Sequence, residues 1–230
     1  MQSIHFRNHL FAFQPGDLAM HENLMPCIIL GRRAPVRVSG QTTDIEANAE
    51  CIRPGVPHCV TVRDGGADIV YFDGLRLEGS NDFASLDGEW HGLPDAFKTA
   101  DRVRITSFRN RLNGDTVPPD QSVMQLIRQI YDDPLRRMSQ TDLAHAIGIE
   151  RTLALRHFKD TTGQTFRKFK IWAAMVRATQ LALRGEGIGN AGLAAGFSDA
   201  SHLTRTAATV FGVTPTQGLS GLSGLISVEA

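Results

Sequence analysis

The chain has 230 residues, 42% apolar and 21% charged, with 24 Lys+Arg balancing 24 Asp+Glu. That is enough chain for one large or two modest domains with a real core, and it excludes a disordered chain. No run reaches the roughly 18 apolar residues of a membrane helix and the start lacks a signal peptide's apolar stretch, so a cytoplasmic protein without membrane contact is expected. Cys27, Cys51 and Cys59 are an odd number without C-x-x-C spacing, which argues against a disulfide framework or a zinc ribbon. The neutral total hides an asymmetry. Residues 1–117 carry 12 Lys+Arg against 15 Asp+Glu, whereas residues 118–217 carry 12 against 8. A mildly basic second half suits a polyanion.

From Ser3 to about Asp73 short apolar runs alternate with Gly/Pro turns. Leu10–Phe13, Cys27–Leu30, Val36–Val38, Cys59–Val62 and Ile69–Phe72 are the expected strands of a barrel or sandwich. Gly79–Gly92 is polar and loop-like, and Pro94–Arg111 is expected as one helix and a dimerisation element. Leu112-Asn113-Gly114-Asp115 and Pro118-Pro119 then mark a domain boundary.

Beyond it the pattern is helical. Val123, Leu126, Ile127 and Ile130 share one face. Ser139 and Asp142 have capping-box spacing ahead of a helix that Gly148 breaks, and a second helix is expected from Glu150 to Asp160. A connector follows from Thr165 to Arg184. A second short pair then runs Ile188–Ala195 and, capped by Ser198, on to Phe211, with Gly212 and Pro215 as the stop. Two helix-turn-helix units thus flank a connector of roughly 30 Å, near the ~34 Å repeat of B-DNA.

The run Gly192-Leu193-Ala194-Ala195-Gly196-Phe197-Ser198-Asp199-Ala200-Ser201-His202-Leu203-Thr204-Arg205, closed by Phe211-Gly212-Val213-Thr214-Pro215, resembles the DNA-binding domain of AraC/XylS-family transcription regulators. Leu143-Ala144, Gly148-Ile149, Arg156-His157-Phe158-Lys159 and Thr162-Gly163 extend the likeness over about residues 120–217. It implies double-stranded DNA as partner, a homodimer, a small effector, and RNA polymerase if the protein activates. Base contacts fall to Thr152, Leu155 and Arg156 in the first unit, and to Ala200, Ser201, Thr204 and Arg205 in the second. The two arginines can grip guanine O6 and N7. Lys159, Arg167, Lys168, Lys170 and the helix start at Ser198 are the expected phosphate contacts. The sequence departs from the family at Trp172 and Ala174, where basic residues are usual. It also departs at Ala207, where an aromatic is common, which implies a looser second unit.

The first half is similar to the cupin-like sensor of the same family through Cys51-Ile52-Arg53-Pro54-Gly55-Val56-Pro57-His58-Cys59-Val60. Metal-binding cupins carry more histidines than His58 alone, so no metal and no required cofactor is expected. Arg32, Arg33 and Arg37 form a local cation cluster, with Arg33 and Arg37 at the spacing of the PilZ domains that bind cyclic di-GMP. The cluster is either an exposed basic loop or an anionic effector site, for which cyclic di-GMP is the concrete candidate.

The expected architecture is α+β: a cupin-like β-barrel sensor (1–92), a helical linker (93–117), an all-α tandem helix-turn-helix domain (118–217) and a tail (218–230). The expected function is an effector-modulated, non-enzymatic DNA-binding regulator. The alternatives are a cupin-type metal-dependent enzyme with an appended helical domain, and a DNA-binding protein that takes no effector.

Overall fold

The computed structural model describes residues 6–77, 79–112, 121–133, 135 and 137–230. The first half holds β1 (Arg7–Phe13), β2 (Gly16–Glu22), β3 (Cys27–Gly31), β4 (Val36–Gly40) and β5 (Asp44–Ala47). β6 (Ala49–Ile52), β7 (Pro57–Val62), β8 (Ala67–Phe72) and β9 (Phe83–Ser85) follow. All five expected strands lie inside these elements. The strands form two antiparallel sheets, one ordered β2-β7-β4-β5 and the other including β1-β8-β3-β6-β9. Among the described residues no ladder closes one sheet onto the other, so the β domain is two facing sheets where a barrel was expected.

The larger sheet is buried on both faces, which explains why its strands are apolar without clean alternation. Phe11, Ile29 and Ile69 face Leu18, Val38 and Val60 of the other sheet. Leu10, Ile28, Val70 and Phe72 point the opposite way, under Trp90, Leu93, Phe97 and Ile105. Those covering residues come from a 3-10 turn at Gly88–Gly92 and from two helices, α1 (Leu93–Lys98) and α2 (Arg102–Leu112). The single helix expected over 94–111 is therefore broken, at Ala100 with φ 51°. The expected boundary at 113–119 lies outside the described residues.

The second half contains α3 (Gln121–Asp132), α4 (Gln140–Ile147), α5 (Arg151–Thr162), α6 (Phe166–Leu183), α7 (Ile188–Ala194) and α8 (Ala200–Phe211). Pro215, expected only as a stop, opens a further helix, α9 (Pro215–Gly221), which Thr214 and Gln217 start with a capping box. Residues 218–230, expected as a tail, continue into β10 (Leu222–Glu229). β10 pairs antiparallel with β1, from Arg7 opposite Glu229 to Phe13 opposite Leu222, and so forms the outer strand of the larger sheet. A strand that follows the last helix-turn-helix thus completes the first domain.

The two halves are joined by packing as well as by this strand. Trp172 of α6 is fully buried against Phe11, Tyr71 and Phe211. Its indole Nε1 donates to Asp73 Oδ1 at 2.8 Å, and the Tyr131 hydroxyl of α3 donates to the other oxygen of the same carboxylate. Trp172 is a large apolar residue at a place where the resemblance leads one to expect charge, and its face of α6 packs against the β domain. The Ala19 amide of β2 also donates to the Gly212 carbonyl at 2.9 Å. Gly212 has φ 68°, and a Cβ there would lie 2.2 Å from the Ala19 oxygen, so this junction requires glycine.

Candidate nucleic-acid interface

The first helix-turn-helix is α4 and α5, joined through Gly148 in the left-handed conformation at φ 78°. Ser139 and Asp142 cap α4 reciprocally, as their spacing predicts. α5 begins on Glu150, whose carboxylate accepts from the amides of Thr152 (2.8 Å) and Leu153 (3.2 Å). The second unit is α7 and α8, and α8 begins on Asp199, whose carboxylate accepts from the His202 amide at 2.7 Å. Ser198 is not the cap. Its hydroxyl donates to Asp199 instead, at 2.9 Å. Both carboxylates are held below their usual range, chiefly by these amide hydrogen bonds. α5 and α8 therefore each start on a fixed negative charge that already occupies free amides at that end. A DNA phosphate docked at Ser198 would meet repulsion there.

The side chains that follow are matched between the units. Arg156 and Arg205 stand at the same step beyond their acidic caps, and both are exposed. Neither guanidinium makes a hydrogen bond or ion pair with another described residue. Thr152, Ala200, Ser201 and Thr204 are exposed on the same helices. Leu155 is not open in this way: it is half-buried against the core, and Leu153, 52% exposed, is the outward leucine of α5.

The expected phosphate contacts divide. Lys159 and Arg167 are exposed. Lys168, also exposed, carries its Nζ close to Gly55 on the sensor's β6–β7 turn. Lys170 is engaged internally: its Nζ donates to the Met138 carbonyl at 2.6 Å and lies over the Phe166 ring, which leaves it braced between α6 and the start of α4.

The sensor arginines are not an open clamp. Arg32 donates to Asp68 at 2.7 Å and Arg37 to Asp44 at 2.8 Å, while the stem of Arg33 packs along Gly65. Two of the three charges are thus paired within the chain, Arg37 in an exposed pair, and nothing in the comparisons supports cyclic di-GMP. His58 is buried, hydrogen-bonded to the Val56 carbonyl at 2.7 Å and stacked on His21. Among the described residues no group of three His, Cys, Asp or Glu side chains is placed to hold a metal. None of the described helices is long and apolar enough to cross a membrane.

A cleft unsuspected from the sequence lies where sensor and second unit meet. It is open to solvent, and its own free room is small, about 80 Å³. Phe11, Phe13, Leu18, Ile69 and Tyr71 form the sensor wall. Met175, Ala178, Leu203, Ala207 and Phe211 form much of the facing wall. The missing aromatic at Ala207, which suggested a loose unit, marks part of this space.

A family model described as a helix-turn-helix domain matches residues 143–219, and no curated protein matches the chain. Several solved structures of ToxT from Vibrio cholerae share the fold. One covers 96% of this chain and 100% of its own at 11% identity and a TM-score of 0.62. A second, of ToxT with an unsaturated fatty acid bound, covers 97% and 99% at 11% identity and a TM-score of 0.59. A third, of ToxT bound to (E)-4-(8-methylnaphthalen-1-yl)but-3-enoic acid, covers 95% and 99% at 12% identity and a TM-score of 0.61. Residues 143–219 are thus matched as a helix-turn-helix domain, and the fold of the whole chain is that of these ToxT structures.

Proposed function

We propose that this protein is a sequence-specific transcription regulator that reads operator DNA with α5 and α8 and is adjusted by a small effector at its N-terminal domain. The observation that carries the reading is the matched pair Arg156 and Arg205, exposed at equivalent steps of the two second helices. An arginine at such a position supplies a bidentate contact to guanine. Thr152, Ser201 and Thr204 flank it, and Lys159, Arg167 and Lys168 serve the backbone. The protein acts in the cytoplasm as a homodimer on two half-sites, with the exposed face of α2 around Val103, 81% exposed, as the contact. Contact with RNA polymerase follows if it activates.

The effector reading rests on the cleft, because a ligand seated between sensor and reader changes how the two are held. ToxT, which shares this fold, binds small organic acids. A gel shift on promoter fragments of its own and adjacent genes tests the DNA reading. Arg156→Ala and Arg205→Ala should each weaken specific binding by about 1–3 kcal/mol and relax selectivity. Unchanged operator affinity in both variants would refute it.

A further inference from the structure

We infer that the outer edge of β10 pairs antiparallel with the same edge of a second copy of this chain, so that the larger sheet runs on through two molecules. The inference rests on the homodimer reading above and adds a main-chain contact to it. A sheet edge presents a row of open amides and carbonyls, and proteins blunt such edges with brevity, charge or a bulge. Three of the four edge strands here are blunted in that way. β9 has three residues, and β5 has four, with Asp44 and Glu46 among them. β2 carries Asp17 and Glu22, breaks register between Leu18 and His21, and has its Ala19 amide taken by the Gly212 carbonyl. β10 differs. It has eight residues and a single charge, Glu229, which Arg7 already neutralises at 3.1 Å. Among the described residues no strand lies beyond it.

The partner follows from the strand itself. The Ala230 amide donates to the Phe6 carbonyl, so by the alternation of an antiparallel ladder Ile226 and Val228 also direct their backbone groups at β1. Those of Leu225, Ser227 and Glu229 face outward. Beyond a break in register at Ser223, Gly224–Glu229 pairs regularly with β1. A two-fold axis at Ile226 gives the outward groups partners, because Leu225 then exchanges hydrogen bonds with Ser227 of the second copy, and Ser227 with its Leu225. Ile226, half-buried beside the edge, comes to lie against Ile226 of the second copy, and Gly224 leaves room for that copy's Val228. The two Glu229 carboxylates stand six residues apart along the pair, about 20 Å and beyond the screening length, so identical strands meet without opposed charges. α1 packs beside β10 and leads into α2, so one axis can serve both this edge and the α2 face.

Sedimentation of the full chain, with a melt of each variant, tests the pairing. Leu225→Pro removes an outward amide and leaves the ladder to β1 in place, and Ile226→Lys sets two like charges opposite each other. Each should weaken the wild-type dimer at least about tenfold. A second measurement decides should these variants fold poorly. Across the axis the two Ile226 Cα atoms come within about 4.5 Å, inside the range a disulfide spans. Oxidation of Ile226→Cys with copper phenanthroline should therefore give a covalent dimer on a non-reducing gel. Wild type, with Cys27 and Cys51 buried, and Ser223→Cys, at an exposed position far from the axis, should give none. An unchanged dimer in Leu225→Pro and Ile226→Lys of normal Tm would overturn the inference, as would Ser223→Cys cross-linking as readily as Ile226→Cys. A dimer lost in Val103→Glu alone would also overturn it while leaving the homodimer reading intact, and a monomeric wild type would end both.

Discussion

Asp73 ties the domains together with one carboxylate. It follows β8 of the first domain and receives Trp172 of α6 and Tyr131 of α3, with His9 at 3.9 Å and the charges of Arg109 and Arg7 nearby. Burial raises it from 3.8 to about 7, against the pull of its two hydrogen bonds. The folded protein thus keeps a proton that the unfolded chain releases near pH 4. The stability this proton contributes is fully present below the unfolded value and is lost as the pH climbs through 7. Burial lowers His9 to about 3 and His21 to about 4, which acts the other way, costing stability as the pH falls below about 6.5. Above that the histidines are neutral in both states, and Asp73 and Glu50, raised to about 8 by burial, set the slope. Tm is therefore expected to fall between about pH 6.5 and 8, and less steeply in Asp73→Asn, whose amide can still accept from Trp172. A thermal melt series at several pH values checks this, and an equal slope in the variant would contradict it.

Among elements, the reading helices carry their own test. α5 and α8 both begin on carboxylates, Glu150 and Asp199, at the ends that the proposed function turns toward DNA. Ser caps a helix about as well as Asp, so Asp199→Ser should leave Tm unchanged. It removes a negative charge from the interface, so affinity for DNA of any sequence should rise severalfold at low salt and converge with wild type at high salt. Anisotropy titrations at two salt concentrations measure both. The helices themselves were legible because their signals are local: a capping residue, a glycine, an i, i+3, i+4 stripe. Ser198 shows the limit of that legibility. Ser and Asp are adjacent, both are good caps, and only the backbone trajectory chooses Asp199. Lys170 and Leu155 show another limit, since a cationic or an outward-looking position on a helical wheel says nothing of a neighbouring helix that bends over it.

Across the whole molecule, the unread features are those made by contact between distant segments. The stripe of alternate residues in Leu222–Glu229 gives no hint of a partner more than two hundred positions earlier, and the cleft exists only because two domains meet. Trp172, a large apolar group where charge is expected, and Ala207, small where an aromatic is expected, are the visible signs. Ending the chain after Gly221 should expose the outer edge of β1 and break the Arg7–Glu229 ion pair, the His9–Ser227 hydrogen bond and the Gln180–Ser227 contact to α6. Tm should fall and aggregation rise, because an unpaired edge strand is a template for other chains. Circular dichroism melts with light scattering check this, and a truncated protein that melts like the full chain would show the strand to be dispensable.

The pairing of β10 with β1 also has a consequence in time. Residues 7–13 leave the ribosome long before residues 222–229, and at about 5–20 residues per second the interval is roughly ten to forty seconds. Throughout it, one side of β1 waits bare while β8 can already cover the other. The sensor cannot reach its final form until both reading units have been made. Each newborn molecule therefore completes its larger sheet only once both helix-turn-helix units exist, so a β domain released early would lack its edge strand.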